Sequence, residues 1–233
     1  MTWAHFPPTP WWYVAALVVA GAAVGHLLGS RLATLGYRLD HETGPGPRLP
    51  VWAVATGLAL LWGVLAWRFG PTAHYALAPA YLGLAAVGVA LAWVDADVHR
   101  LPHGLTRPAY PMLVGQLALA SLASGDWAAF RRAIIAGAVL WTLYFLLALL
   151  AALLRSGFGL GDVTLAGLVG VATGYLSAWG PVIATYAAFL LSGAYGLGRI
   201  VLRRGSRKDH IAFGPWMLVG ALVALVTEVQ LFP

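Results

Sequence analysis

The sequence contains no cysteine and little charge. Its 233 residues include 14 Lys and Arg, 8 Asp and Glu, and no Cys. The lack of cysteine excludes disulfides, zinc sites built from thiolates and a cysteine nucleophile. Because only 9% of the residues are charged, an acidic side chain at an apolar segment is costly and is therefore a candidate for function.

What is present is mostly apolar, and 61% of the residues are hydrophobic. That composition indicates an integral membrane protein. Apolar segments of spanning length recur along the chain, which favours helices over a barrel. We predict an all-α polytopic membrane protein with about eight transmembrane helices, in a single membrane-embedded domain, 1–233. The predicted spans are Trp11–Leu28, Val51–Trp67, Tyr75–Val94, Ala109–Ala123, Ala133–Leu154, Val163–Leu176, Pro181–Leu197 and Ile211–Leu231.

The basic residues are distributed unevenly between the loops of such a protein. Eleven fall in the first, third, fifth and seventh loops, whereas only Arg68, Arg131 and Arg132 fall in the others. Loops rich in Lys and Arg stay in the cytoplasm, so both termini are expected outside. Basic cytoplasmic loops beside the lipid bilayer account for the net charge of +6, and no nucleic acid partner is expected.

Two carboxylates are expected at the cytoplasmic boundary. Asp95 ends the third predicted span and Asp162 begins the sixth, so two crossings return the chain to the same membrane face. Like charges a few ångströms apart cannot both ionise cheaply, so such a pair shares one proton. It could activate water against a peptide carbonyl. The sequence predicts equal depth for the two carboxylates, which is not the same as proximity.

Three glycines alternate just before Asp162, at positions 157, 159 and 161. Glycines allow tight turns and close approach of another segment. The simplest alternative to a functional site is a helix–loop–helix joint in which Asp162 caps the next helix. A second alternative is a small proton- or cation-coupled transporter or channel that uses the carboxylates as a relay. A third is a membrane scaffold that needs neither aspartate.

Two motifs together resemble the prepilin peptidases, the type IV leader peptidases of the GxGD class of membrane aspartic proteases. The first runs Asp95-Ala-Asp97-Val-His-Arg-Leu101-Pro102-His103-Gly-Leu-Thr106, and the second runs Gly157-Phe158-Gly159-Leu160-Gly161-Asp162-Val-Thr-Leu165. Two shorter motifs agree with the family: Gly29-Ser30 with Tyr37-Arg38-Leu39, and Ala212-Phe213-Gly214-Pro215. The resemblance covers nearly the whole chain, in order.

The resemblance implies a membrane aspartic endopeptidase that cleaves the leader peptide of type IV pilin-like precursors at the cytoplasmic face. It implies that Asp95 and Asp162 are the catalytic pair, without cofactor or metal. It also implies a bacterial cytoplasmic (inner) membrane, with pilus or secretion assembly machinery as a further partner. The remaining motif residues would bind substrate or support the site: Gly157, Phe158, Gly159, Gly161, Pro102 and Asp97.

The sequence departs from the family pattern in several places. His103 stands where Asp or Asn is usual, Thr164 replaces a Lys, and Ala212 replaces a Pro. Bifunctional members carry two Cys-x-x-Cys pairs in an insert after the first span, associated with N-methylation of the product. Here the loop 29–50 is short and has no cysteine, which argues against N-methyltransferase activity.

Three other side chains near Asp95 have simpler interpretations. Asp97 competes for the first catalytic role, but we interpret it as a solvated loop carboxylate. His99 and His103 have the spacing of a helical metal pair. Because Pro102 lies between them and disfavours a helix, we expect a loop that faces substrate or water, and no metal.

Overall fold

A computed structural model describes residues 9–42, 50–70, 75–154, 159–202 and 212–227. The regular elements of these residues are all helical. Those residues form eight α-helices, and a short 3-10 turn, Tyr75–Leu77, precedes the third. The helices are α1 (Trp11–Ala33), α2 (Val51–Arg68), α3 (Ala78–Val98), α4 (His103–Ser124), α5 (Trp127–Leu153), α6 (Leu160–Leu176), α7 (Gly180–Val201) and α8 (Gly214–Thr227). The all-α prediction is confirmed.

Five of these helices are long and apolar enough to cross a membrane: α1, α2, α3, α5 and α7. Helices α6 and α8 are apolar but shorter, with 17 and 14 residues. Several apolar helices of this kind indicate a multi-pass membrane protein. Length and composition support five spans, so the predicted number of eight and the position of the termini stay predictions.

Several predicted boundaries were wrong near the two aspartates. Helix α3 continues to Val98, beyond the predicted end at Val94, so Asp95 lies in its last turn. Helix α4 begins at His103, six residues before the predicted start at Ala109, and contains Pro108 and Pro111. Each proline removes one backbone N–H, a loss that neighbouring groups offset in membrane helices.

Helix α6 lies in the centre of the molecule, and residues 165–175 are all buried. It packs closely on α5: a Cβ atom placed on Gly170 would lie only 2.7 Å from the carbonyl oxygen of Ala136. Helices α1 and α2 make a similar contact at Gly25, whose added Cβ would lie 2.7 Å from the Cα of Ala55. Small residues at helix contacts are typical of membrane proteins, where close packing replaces hydrophobic burial.

Helices α3 and α6, which carry Asp95 and Asp162, are joined by a buried hydrogen bond. The hydroxyl of Tyr81 donates to the carbonyl oxygen of Ala172 at 2.8 Å. Helix α8 packs against both α3 and α6. The third and sixth helices are therefore linked by the Tyr81 side chain and by α8, which lies against both.

Candidate active site

Asp95 and Asp162 line the same cavity, which has a volume of about 330 Å³. Its walls are the end of α3 with the turn that follows, the start of α4, the start of α6 and the segment that leads into α8. His99, His103 and Phe213 lie in the same walls. The fold thus brings together the two residues that the sequence placed at equal depth.

Asp95 is held in place through both its side chain and its backbone carbonyl. Its side chain is buried, and its Oδ2 accepts a hydrogen bond from the backbone N–H of Gly214 at 2.9 Å. Its own carbonyl accepts the N–H of His99 at 2.9 Å, where His99 ends α3 in the left-handed conformation with φ 51°. This conformation is uncommon for a residue other than glycine, and it turns the chain sharply along the cavity wall.

Asp162 is the third residue of α6, and Gly159 caps that helix. The alternative in which Asp162 itself caps the helix is therefore wrong. A carboxylate in the first turn of a helix interacts favourably with the free N–H groups there. The start of α6 also approaches the segment after α3, because a Cβ atom on Gly161 would lie 2.9 Å from the Cβ of Leu101. Glycine at 161 permits this close approach.

Asp97 lies in the last turn of α3 but is not a member of the cavity walls. It accepts hydrogen bonds of 2.7 Å from the Tyr37 hydroxyl and from Nε of Arg38, and a second Arg38 nitrogen pairs with its other oxygen. Its side chain is only 3% exposed. The interpretation of Asp97 as a solvated loop carboxylate is therefore wrong, because it lies in α3 and two side chains of the segment after α1 cover it and donate three hydrogen bonds.

A second ion pair ties the same segment to the turn after α3. Arg100 donates to both carboxylate oxygens of Glu42, at 2.9 and 3.0 Å, and to the carbonyl of Tyr37 at 3.0 Å. The hydrogen bonds from Arg100 hold the pKa of Glu42 down at about 2. The Tyr37-Arg38 motif therefore braces the end of α3 from outside the cavity.

The other predicted site residues have varied positions. Gly159 and Gly161 line the cavity. Pro102 does not line it; its extended backbone (φ −70°, ψ 128°) caps the start of α4. Gly157 and Phe158 lie outside the described residues.

His99 and His103 do not share a helix, since one ends α3 and the other begins α4. Both line the cavity. Among the described residues, no group of three His, Asp or Glu side chains could hold a metal ion. These positions agree with the expected turn between the two histidines.

Sequence reasoning noted the Phe213-Gly214-Pro215 motif but gave it no role. In the structure, Phe213 lines the cavity and Gly214 donates to Asp95. Behind the cavity, the ring of Phe213 lies 5.0 Å from that of Phe189 and 6.4 Å from that of Tyr144. The motif itself was the signal, but its 119-residue separation from Asp95 hid the contact.

The fold and the cavity define a multi-pass helical membrane protein with two carboxylates at one site. Over 181 residues the chain is 31% identical to the prepilin leader peptidase/N-methyltransferase of Aeromonas hydrophila, covering 75% of this chain and 53% of that protein. The proteins of the same name from Aeromonas salmonicida strain A449 and Neisseria gonorrhoeae are 30% and 28% identical, over 59% and 76% of this chain and 45% and 56% of theirs.

These matches confirm the resemblance inferred from the motifs: the chain is a homologue of the prepilin leader peptidases. It spans about half the length of the curated relatives it matches. No family model matches the chain, and no solved structure matches it significantly.

Proposed function

We propose that the protein is a membrane aspartic endopeptidase that removes the leader peptide from type IV pilin-like precursors at the cytoplasmic face. The observation that carries this proposal is the shared cavity of Asp95 and Asp162, which belong to different helices and two different motifs. The names of the homologues support the same reaction. Asp95 and Asp162 are the proposed catalytic pair.

The reaction needs one carboxylate and one carboxylic acid. The carboxylate takes a proton from a water molecule, and the water oxygen attacks the carbonyl carbon of the scissile peptide bond. The carboxylic acid gives its proton to the carbonyl oxygen, so that a neutral tetrahedral diol forms. Its collapse breaks the C–N bond. The leaving nitrogen takes a proton from the aspartate that acted as base. One hydroxyl of the diol gives its proton to the aspartate that acted as acid. The pair is thus restored without a cofactor.

The size of the cavity restricts how the precursor can bind. A helix with its side chains is roughly 10–12 Å across, whereas the cavity holds about 330 Å³. A carbonyl inside an intact helix is also occupied by its own hydrogen bond. The precursor is therefore expected to present an extended segment at the scissile bond, while the helix that follows packs between the spans of the enzyme.

The remaining predictions form part of the same proposal. The distribution of basic loops favours both termini outside and the cavity at the cytoplasmic boundary. The names and bacterial sources of the homologues support the bacterial inner membrane as the location. We assign 1–233 to one peptidase domain, without the cysteine-containing insert that the family resemblance associates with N-methylation. Such a protein would cleave the precursor without methylating the product, and the pilus or secretion assembly machinery would receive it.

The proposal is tested with purified protein in detergent or liposomes and a pilin-like precursor. Asp95→Asn and Asp162→Asn are each expected to abolish cleavage and to leave membrane insertion intact. The loss of one member of a catalytic pair costs about as much activity as the loss of both. Asp126→Asn is the matched control. Asp126 caps α5 by accepting the N–H of Ala129 at 2.9 Å, and Asn caps a helix about equally well. Full cleavage by either catalytic variant would refute the proposal.

A further inference from the structure

We propose that Gly214, at the start of α8, is a positioning residue that fixes the side chain of Asp95 for catalysis. This inference rests on the proposed function. Its basis is the hydrogen bond of 2.9 Å from the Gly214 N–H to Asp95 Oδ2, which joins two parts of the chain 119 residues apart. Both partners are buried, so the bond forms away from water.

The local structure of α8 leaves this N–H group available to Asp95. The first N–H groups of a helix have no partner within the helix. Here the carbonyl of Phe213 accepts the N–H groups of Trp216 and Met217 at 3.0 and 3.1 Å, which closes the first turn. Pro215 has no N–H. Gly214 is therefore the residue of this first turn whose N–H points to the carboxylate, and the helix end favours negative charge there.

Position 214 also has no room for a side chain. A Cβ atom there would lie 2.7 Å from Asp95 Oδ2 and 3.2 Å from its Cγ. Contacts under 3.0 Å require something to move, and here the group that must move is the carboxylate. An alanine at 214 would therefore displace the carboxylate of Asp95, whereas its contact with Cδ2 of Leu101, at 3.5 Å, is an ordinary van der Waals distance.

The surroundings of Gly214 hold this arrangement in place. Phe213 lines the cavity and packs against the rings of Phe189 and Tyr144. With Oδ2 of Asp95 bound to α8, its other oxygen remains for water or substrate. Misplacement of a catalytic group by about 1 Å can cost about a hundredfold in rate.

Two glycine-to-alanine variants of the same helix test the inference. At Gly220, an added Cβ would lie 2.3 Å from the carbonyl oxygen of Ala184 and 2.9 Å from the N of Ala188, so Gly220→Ala disturbs the packing of α8 on α7 and not Asp95. We expect Gly214→Ala to lower kcat about a hundredfold while KM stays within about threefold. We expect Gly220→Ala to lower the melting temperature while the folded fraction keeps kcat within about threefold.

The inference is overturned if Gly214→Ala keeps near-wild-type kcat, or if both variants lose kcat in proportion to their loss of folded protein. Should Gly214→Ala not fold, glycolic acid can be installed at 214. It replaces the N–H by an oxygen and adds no atom, and unchanged kcat would then reject the inference. These failures differ from failure of the proposed function, in which the wild type itself does not cleave or Asp95→Asn remains active.

Discussion

The hydroxyl of Tyr81 donates to the carbonyl oxygen of Ala172 across the α3–α6 contact, at 2.8 Å. Tyr81 and Ala172 lie 14 and 10 residues along their helices from Asp95 and Asp162 (95 − 81 and 172 − 162). At a rise of about 1.5 Å per residue, the bond lies roughly 15–20 Å from the cavity. It therefore joins α3 and α6 at the end remote from the cavity.

Removal of this bond should lower stability without changing the chemistry. Tyr81→Phe keeps the ring, which stacks on Phe69, and deletes the buried hydroxyl. We expect a loss of about 1 kcal/mol in the free energy of unfolding and little change in kcat. Thermal melting in detergent measures the first and precursor cleavage the second. Tyr186→Phe, at a tyrosine that is 69% exposed, is the control and should melt like the wild type.

Asp97→Asn separates the bracing of α3 from catalysis. The variant keeps a side chain of the same size but removes the charge that pairs with Arg38. We expect a lower melting temperature and a kcat of the folded protein within about threefold of the wild type. Asp95→Asn should instead keep the melting temperature of the wild type and lose kcat. An inactive Asp97→Asn protein beside an active Asp95→Asn protein would exchange the two assignments.

The ion pair between Glu42 and Arg100 makes a pH-dependent contribution to stability. The hydrogen bonds from Arg100 lower the pKa of Glu42 from its ordinary value of 4.5 to about 2. A lowered carboxyl pKa in the folded state stabilises the fold above the unfolded value, and this contribution is lost as the pH falls. Between about pH 4.5 and 2, the melting temperature of the wild type should therefore fall more steeply than that of Glu42→Gln. The effect is small because Glu42 is at the surface.

Arg100→Lys serves as the control for this pH dependence, because it keeps the charge but loses the paired geometry of the guanidinium. The fall of its melting temperature with decreasing pH should be intermediate between that of the wild type and that of Glu42→Gln. Parallel melting curves for all three proteins across the acid range would show that the ion pair does not contribute.

Precursor cleaved by this protein alone should have an unmethylated N-terminus. The loop between α1 and α2 has no cysteine and is too short for the cysteine-containing insert that the family resemblance associates with methylation. Mass spectrometry of the product, with S-adenosylmethionine present, measures this directly. A bifunctional homologue under the same conditions is the positive control, and one added methyl group on the product of this protein would contradict the prediction.

The helical architecture could be predicted because it depends on local composition. The spans between charged loops follow from the length of apolar segments, and the predicted and observed starts of α2 coincide at Val51. The boundaries at Pro102 and Pro108 could not be predicted from the prolines alone. Pro102 caps α4, whereas Pro108 lies within it, a difference that depends on the packing of the neighbouring helices.

The candidate site could be predicted as a set of residues but not in its contacts. The motifs pointed to Asp95 and Asp162, and the predicted number of crossings put them on one face. The structure has both residues in the wall of one cavity. The bond from Gly214 to Asp95 and the pairing of Asp97 with Arg38 join segments 119 and 59 residues apart. Such contacts depend on how the helices assemble, which no local spacing encodes.

The distance between the two carboxyl groups is the most direct test of the proposed chemistry. A pair that shares one proton requires a separation of about 3–5 Å in the productive state. The resting enzyme can be looser, because catalytic geometry often tightens only with substrate. Because the chain has no cysteine, a pair introduced at positions 95 and 162 would react without background.

We expect Asp95→Cys combined with Asp162→Cys to cross-link efficiently with a short reagent, and more so when an uncleavable precursor is bound. The matched control combines Asp97→Cys with Asp162→Cys. Position 97 is two residues from 95 but faces Tyr37 and Arg38 outside the cavity, so this pair should react poorly. Equal cross-linking of both pairs, or none at 95 and 162 with the precursor bound, would rule out a shared proton and favour a transporter in which the carboxylates act separately.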